Sequence, residues 1–180
     1  MVTPSAQDEL VVLVDEEGMP IGTAEKLAIH HAQTPLHLAF SCYVFDEGGR
    51  FLATRRAICK KVWPGVWTNT VCGHPSPGEG FEAAIRRRLS FELGMSASAI
   101  EVLLPRHRYR APPFRGIVEH EFCPVFRATA QGEVRPNPHE VMDWRWVPWS
   151  GFVDAARTDS ENAYSWWCKN QLRELEGLAA

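Results

Sequence analysis

These 180 residues contain no long apolar run, no excess of positive charge and no paired cysteine motif, and each absence closes off a class of function. The longest purely aliphatic stretch near the start runs from Leu10 to Val14. A helix that crosses a bilayer needs roughly 18 apolar residues, so no membrane partner is expected. Met1 to Leu10 carries Asp8 and Glu9 and has no basic cluster, which predicts a chain without a secretion signal and a cytoplasmic location. Nineteen Lys and Arg stand against 22 Asp and Glu, for a net charge of −3. That is the wrong sign for gripping a polynucleotide, whose phosphates demand a basic footprint. The five cysteines, Cys42, Cys59, Cys72, Cys123 and Cys168, form an odd set with no Cys-x-x-Cys spacing. Free thiols in a reducing compartment are expected, and neither a zinc ribbon nor a thioredoxin-type site is indicated.

What is present reads as one soluble globular domain. Hydrophobic residues make up 45% of the chain and charged residues 23%, a balance that excludes disordered and collagenous chains. Leu10 to Val14 reads as a strand turning at Glu17-Gly18. Leu38 to Phe45, the turn signal Asp46-Glu47-Gly48-Gly49 and Phe51 to Arg55 predict a hairpin. Between Gly78 and Leu93 the period changes: Phe81, Ala84, Ile85 and Leu89 recur at helical spacing, and Gly94 follows as a stop. Val102 to Arg110, Gly116 to Ala128 and Val141 to Val147 read as extended runs, and Trp149 to Leu178 as one or two helices. Strands and helices in this order predict an α+β fold.

The cations are clustered. Arg55-Arg56, Lys60-Lys61, Arg86-Arg87-Arg88 and Arg106, Arg108 and Arg110 suit either a solvated surface or a small anionic ligand. In the run from Gly116 to Phe126, strand alternation places Glu119, Glu121, Cys123 and Val125 on one face. Two carboxylates entering an apolar face repel each other and resist burial unless a cation or a proton relieves them. Imidazoles from His30, His37 and His74 together with such carboxylates suit a divalent ion such as Zn²⁺ or Mn²⁺, although spacing alone does not bring them together. His31, His107, His120 and His139 read as structural. Cys72 is either a buried small hydrophobe or, near a metal or cations, a proton carrier. Arg88 and Glu92 share a helix face, as a surface ion pair or as a cation and a metal-binding carboxylate beside a phosphate.

Gly73-x5-Glu79-x7-Arg87, continuing through Leu89, Glu92, Gly94 and Met95, resembles a damaged Nudix box, G-x5-E-x7-R-E-U-x-E-E-x-G-U. Arg88 and Phe91 stand where the pattern has carboxylates that hold Mg²⁺ for phosphoanhydride hydrolysis. The same departure occurs beside Thr68-Asn69-Thr70-Val71-Cys72-Gly73-His74-Pro75 and Glu119-His120-Glu121. Those motifs, with Glu25-Lys26, His30, His37-Leu38-Ala39-Phe40-Ser41, Arg55-Arg56-Ala57, the run from Lys60 to Trp67 and Arg108-Tyr109-Arg110, resemble the type I isopentenyl-diphosphate isomerases from about Val11 to Trp167. His120 and Cys59 depart from the pattern. The resemblance implies a single Nudix-like domain over 1–180, with mixed β-sheets flanked by helices and a core of about 11–167.

It further implies that Cys72 and Glu121 carry acid–base work, with Tyr109 bonded to the carboxylate. His30, His37, His74, Glu119 and Glu121 would hold one buried divalent metal, Mn²⁺, Zn²⁺ or Mg²⁺. A separate Mg²⁺ would bridge the substrate diphosphate to Glu92 and the Cys72 backbone carbonyl. Lys26, Arg56, Lys60 and Arg88 would meet diphosphate oxygens, and Trp166 would cover the hydrocarbon end. The substrate pair would be isopentenyl and dimethylallyl diphosphate, the chain a monomer or weak homodimer. Two rivals stand beside this reading. A Nudix hydrolase of a nucleoside diphosphate derivative is disfavoured by Arg88 and Phe91. A non-catalytic metal-dependent binding module has no use for Cys72, Tyr109 and Glu121 together.

Overall fold

The computed structural model describes residues 9–178, so most of the stretch read for a secretion signal lies outside it. The elements run β1 (Leu10–Val14), β2 (Pro20–Glu25), α1 (Lys26–Ile29), β3 (His37–Leu38), β4 (Phe40–Phe45), β5 (Arg50–Arg56), β6 (Trp67–Thr68) and β7 (Val71–Gly73). Then follow α2 (Phe81–Leu93), β8 (Ser96–Leu104), β9 (Arg108–Arg110), β10 (His120–Phe122), β11 (Val125–Gln131), β12 (Val141–Pro148), α3 (Trp149–Arg157) and α4 (Trp166–Leu178). Strands and helices intermix as the α+β reading expects. Among the described residues no helix is long and apolar enough to cross a membrane.

Two sheets result. The smaller has the order β2-β1-β3-β10-β9, and the larger β12-β5-β4-β11-β8, with β6 and β7 joined to β5 and β4. Alternation along the larger sheet sends successive side chains to opposite faces. Cys42, Val44 and Leu52 meet Ile85, Leu89 and Leu93 of α2 on one side. Tyr43, Phe51 and Ala53 meet Phe152 of α3 and Trp167, Cys168 and Leu172 of α4 on the other. Helix α2 ends where the sequence predicts: Gly94 takes φ +60° and its N–H bonds the Ser90 carbonyl, a conformation that glycine adopts without steric cost.

Three extended runs prove to be broken. Leu38 to Phe45 is two strands in different sheets, separated at Ala39. Gly116 to Ala128 is likewise split at Cys123-Pro124, where proline has no N–H for a central ladder. The two breaks coincide. In the small sheet β10 pairs parallel to β3, Glu121 opposite His37; in the large sheet β11 pairs parallel to β4, Val125 opposite Ser41. Bonds from Ala39 N–H to Phe122 O (2.9 Å) and Ser41 N–H to Pro124 O (3.1 Å) carry the ladder across. The third run, Val102 to Arg110, is also interrupted: the strand begins earlier, at Ser96, and a turn after Leu104 separates β8 from β9.

The predicted hairpin closes only at its tip. Beyond the Phe45–Phe51 pair, β4 and β5 splay apart, β7 pairing with β4 and β6 with β5. Asn69 and Thr70 fill the opening. Thr70 Oγ1 accepts from Val44 N–H (2.9 Å) and donates to Leu52 O (2.6 Å), while Thr54 Oγ1 donates to the Asn69 and Thr70 carbonyls. Each of these side chains is buried, so the splay costs no unsatisfied backbone group at these positions.

The connection between α3 and α4 is organised by Asp159. It accepts from the N–H groups of Glu161, Ala163 and Tyr164 (3.0–3.2 Å) and from Lys169 Nζ at 2.9 Å. Burial alone would raise its pKa, but the bonds from Lys169, Ala163 and Tyr164 outweigh that and hold it below the ordinary aspartate range.

Two measurements check these polar seams. Thr70→Val, nearly isosteric, leaves Val44 N–H and Leu52 O without their partner; urea denaturation should show a loss of about 2 kcal/mol. For Asp159 the lowered folded pKa means that its stabilisation is complete above the unfolded aspartate range and is lost as pH falls. Thermal melts should therefore place Asp159→Asn below wild type at pH 7, with the gap shrinking below about pH 4.

Candidate active site

The register of the parallel strands brings the predicted metal ligands together. His37 on β3 faces Glu121 on β10, whose other neighbour in the ladder is Tyr109 on β9. His30 follows α1, and His74 follows β7. The donor atoms of His30, His37 and His74 lie within 4.8 Å of one another, as do those of His37, Glu119 and Glu121. His37 Nδ1–H donates to Pro35 O at 3.0 Å, and His30 Nδ1–H to Lys26 O, so both rings turn an Nε2 lone pair inward. His74 Nε2 lies 3.2 Å from both His37 Nε2 and Glu121 Oε1. Lone pairs this close, beside two carboxylates, repel unless a cation or a shared proton lies among them.

The protonation states suit metal binding. Burial lowers the pKa of His37 and pushes His74 down to about 3, against the pull of Glu121, so both imidazoles are neutral at pH 7. Glu119 is pushed up to about 8 by burial and by the charge on Glu121. Burial would also raise Glu121, but bonds from His74 and from Tyr109 keep it ionised. The Tyr109 hydroxyl donates to Glu121 Oε2 at 2.8 Å, and burial with the adjacent carboxylate keeps that phenol protonated. The imidazoles of His30, His37 and His74 with the carboxyl groups of Glu119 and Glu121 form a donor set that can hold a divalent metal, whose binding would displace the Glu119 proton. His120 points elsewhere, its Nδ1 toward Thr34 O, as alternation requires.

Cys72 and Glu121 both line a cavity of about 500 Å³, within the range of small-molecule sites. Cys72 lies on β7 opposite Ser41 of β4. Its S–H donates to Asn69 Oδ1 at 3.1 Å, and Ser41 Oγ lies 3.4 Å from the sulfur. Burial pushes the thiol up to about 11, against the pull of Ser41, Asn69 and Arg56, so it keeps its proton at neutral pH. Of the two sequence readings of Cys72, burial holds but inertness does not follow, because the sulfur faces the cavity.

The cavity wall also carries charged side chains. Lys26, Arg56, Lys60, Arg88 and Glu92 all line it. Lys26 Nζ pairs with Glu9 at 2.8 Å, Lys60 with Glu140, and Arg88 with both Glu92 (2.8 Å) and Glu140 (3.5 Å). Arg88 and Glu92 thus form a largely buried pair. Arg56 donates to the carbonyls of Trp63 and Val62 (3.1 and 2.9 Å) with its guanidinium over the Trp167 ring. Burial and the charge on Glu140 raise the Glu92 pKa despite Arg88. Gly73 makes this packing possible: a Cβ there would sit 3.0 Å from Arg88 Cγ and 3.3 Å from the Phe40 ring.

Some of the wall was not read from the sequence. Glu9 and Glu140 belong to no motif. Trp166, expected over the hydrocarbon end, packs instead against Tyr109, with centroids 5.7 Å apart; Trp167 lines the cavity. The two differ by about 100° around the first turn of α4, and the sequence did not show where that helix begins.

The surviving parts of the Nudix-like segment have structural work. Arg87 forms a two-pronged pair with Glu79 (2.8 and 2.6 Å) and donates to His74 O at 3.1 Å, tying α2 to the loop that carries His74. Phe91, in place of a carboxylate, is 45% exposed, with the Arg88 guanidinium 5.0 Å from its ring centroid.

The NUDIX domain model matches residues 35–167. Among solved structures, a Deinococcus radiodurans protein superposes with a TM-score of 0.70 at 19% identity, covering 93% of this chain and 99% of its own. The MutT protein of Methanosarcina mazei superposes at 0.61 with 15% identity, covering 82% and 97%. These establish the fold. The isopentenyl-diphosphate Delta-isomerase of Paenarthrobacter aurescens is 52% identical over 167 residues, 93% of this chain and 90% of its own length. That of Agromyces mediolanus is 52% identical over 177 residues, 98% and 85%. A Nudix scaffold whose catalytic box has lost two carboxylates, and relatives of this closeness over nearly the whole chain, place the protein in one group: it belongs to the isopentenyl-diphosphate Delta-isomerase family of Nudix-fold proteins.

Proposed function

We propose that this chain interconverts isopentenyl and dimethylallyl diphosphate, with Cys72 and Glu121 as its two proton carriers. One proton is added to the terminal alkene carbon and another is removed from C2, so the double bond moves and nothing else is lost or gained. An unactivated alkene is a weak base, and the species formed resembles a tertiary carbocation. Such a step needs a proton donor and a proton acceptor held at separate carbons in a cavity from which water is excluded. The observation that carries the reading is a thiol and a carboxylate lining one cavity, each with a dedicated hydrogen-bond partner. Because the reaction is reversible, each group donates in one direction and accepts in the other.

Tyr109 holds Glu121 by one oxygen. Trp167 also lines the cavity, with the Arg56 guanidinium 5.2 Å from its ring centroid, and an aromatic quadrupole favours a neighbouring cation. His30, His37, His74, Glu119 and Glu121 would hold a divalent metal, whose positive charge would orient the Glu121 carboxyl and set its proton affinity. Lys26, Arg56, Lys60 and Arg88 line the cavity as the groups that would meet the diphosphate, and Glu92 and the Cys72 carbonyl would hold a Mg²⁺ that neutralises its charge. Hydrolysis of a nucleoside diphosphate is the weaker reading, since Arg88 and Phe91 stand where metal-holding carboxylates are needed.

Incubation with isopentenyl diphosphate and Mg²⁺ in D₂O should place deuterium in the methyl groups of the allylic product without releasing phosphate. Phosphate release from a nucleotide panel, with no allylic product, would overturn the proposal. Cys72→Ala and Glu121→Gln should each lower kcat by at least about 1,000-fold with an unchanged circular dichroism spectrum. Metal analysis should find a tightly bound divalent ion in wild type. Loss of a ligand in His74→Gln should deplete it at least tenfold, about 1.4 kcal/mol of binding.

A further inference from the structure

Asn69 occupies the junction between β6 and β7, fully buried, and the proton-transfer scheme uses it only as the partner of the Cys72 thiol. Its amide orientation is fixed by its neighbours. Trp167 Nε1–H is only a donor and lies 3.1 Å from one terminal atom of Asn69, so that atom is the oxygen. The other terminal atom faces the carbonyls of Val71 (2.9 Å) and Cys42 (3.4 Å), which only accept, so it is the nitrogen. The same oxygen also accepts from the Thr68 hydroxyl at 2.9 Å and from Cys72 Sγ at 3.1 Å. One carbonyl oxygen, anchored to the backbone of β4 and β7, therefore ties the proton-carrying thiol to the aromatic wall of the cavity.

A thiol rotates about its Cα–Cβ and Cβ–Sγ bonds, and a buried sulfur has few strong partners to choose a rotamer. Ser41 Oγ is the other polar atom bonded to this sulfur, at 3.4 Å, and it also receives Gln171 Nε2–H at 2.8 Å. An indole on the first turn of a helix has a comparable freedom of tilt. Without Asn69 the sulfur would keep only Ser41 and the ring only packing and the Arg56 guanidinium, although the reaction needs sulfur and ring at fixed places around five carbons.

We infer that Asn69 is a positioning residue of the isomerisation: its amide oxygen sets the direction of the Cys72 S–H and the tilt of the Trp167 indole together. This deepens the assignment of Cys72 as a proton carrier and rests on it. Asn69 bears no part of the diphosphate's charge, so its loss acts on the chemical step rather than on capture of the substrate.

The test uses the metal-loaded full-length chain. The infrared S–H stretching band of Cys72, identified by its disappearance in Cys72→Ala, should lie below the frequency of a free thiol in wild type and move up in Asn69→Ala. With isopentenyl diphosphate, Asn69→Ala should lower kcat by about 100-fold, the scale of a displaced reacting group. Its KM should stay within about threefold of wild type. A wild-type band at the free-thiol frequency overturns the inference and does not require Asn69→Ala to fold. A near wild-type kcat in Asn69→Ala also overturns it. So does a shared change in kcat and KM with the band unmoved, which marks a merely structural role. Should Cys72→Ala itself turn over normally, the proton-carrier assignment fails, and the inference falls with it; an inert Cys72→Ala beside an unaffected Asn69→Ala sinks the inference alone.

Discussion

The parallel pairing of two strands that leave one sheet and enter the other side by side positions most of the reacting groups. In the small sheet it sets His37 against Glu121; past the crossing it sets Ser41, which touches the Cys72 sulfur, against Val125. Ladder partners lie about 5 Å apart with their side chains on a common face. A slip of one residue in either strand would turn the carboxylate away from the imidazoles and dismantle the ligand set. Backbone hydrogen bonds thus fix His37 and Glu121, while His30, His74 and Glu119 join them from positions flanking α1, β7 and β10.

The cavity wall combines two kinds of group. Buried imidazoles, a carboxylate sharing little of its charge with water and a protonated thiol are one kind. Cations neutralised in advance by Glu9, Glu92 and Glu140 are the other. Pairing keeps buried guanidinium and ammonium groups from standing alone, which would cost far more than any one pair contributes. In the proposed reaction an incoming diphosphate would exchange partners with groups already held in place.

The sequence disclosed local features well and long-range ones by resemblance. The period of α2 and its Gly94 stop could be read directly, as could the tight turn at Asp46-Glu47-Gly48-Gly49, because these depend on neighbours in the chain. The sheet crossings at Ala39 and at Cys123-Pro124 stayed hidden since both flanking segments are apolar and the alternation does not change sign; Pro124 was the one available clue. Motifs named His30, His37, His74, Glu119 and Glu121, but only topology gathers them. Glu9 and Glu140 lie outside any pattern, and choosing Trp167 over Trp166 requires the start of α4 to within one residue.

The remnants of the Nudix-like segment divide by the kind of task each residue performs. Gly73, Glu79, Arg87, Leu89 and Gly94, which persist, bear on backbone and core: a close approach, a two-pronged tie to the loop after β7, an apolar contact and a helix stop. The two positions that changed, Arg88 and Phe91, lie on the helix without holding the chain's path. A joint and a reagent rack have been built from one short stretch of chain, and because they occupy separate side chains, the rack can be refitted for new chemistry while the joint goes on bearing its load.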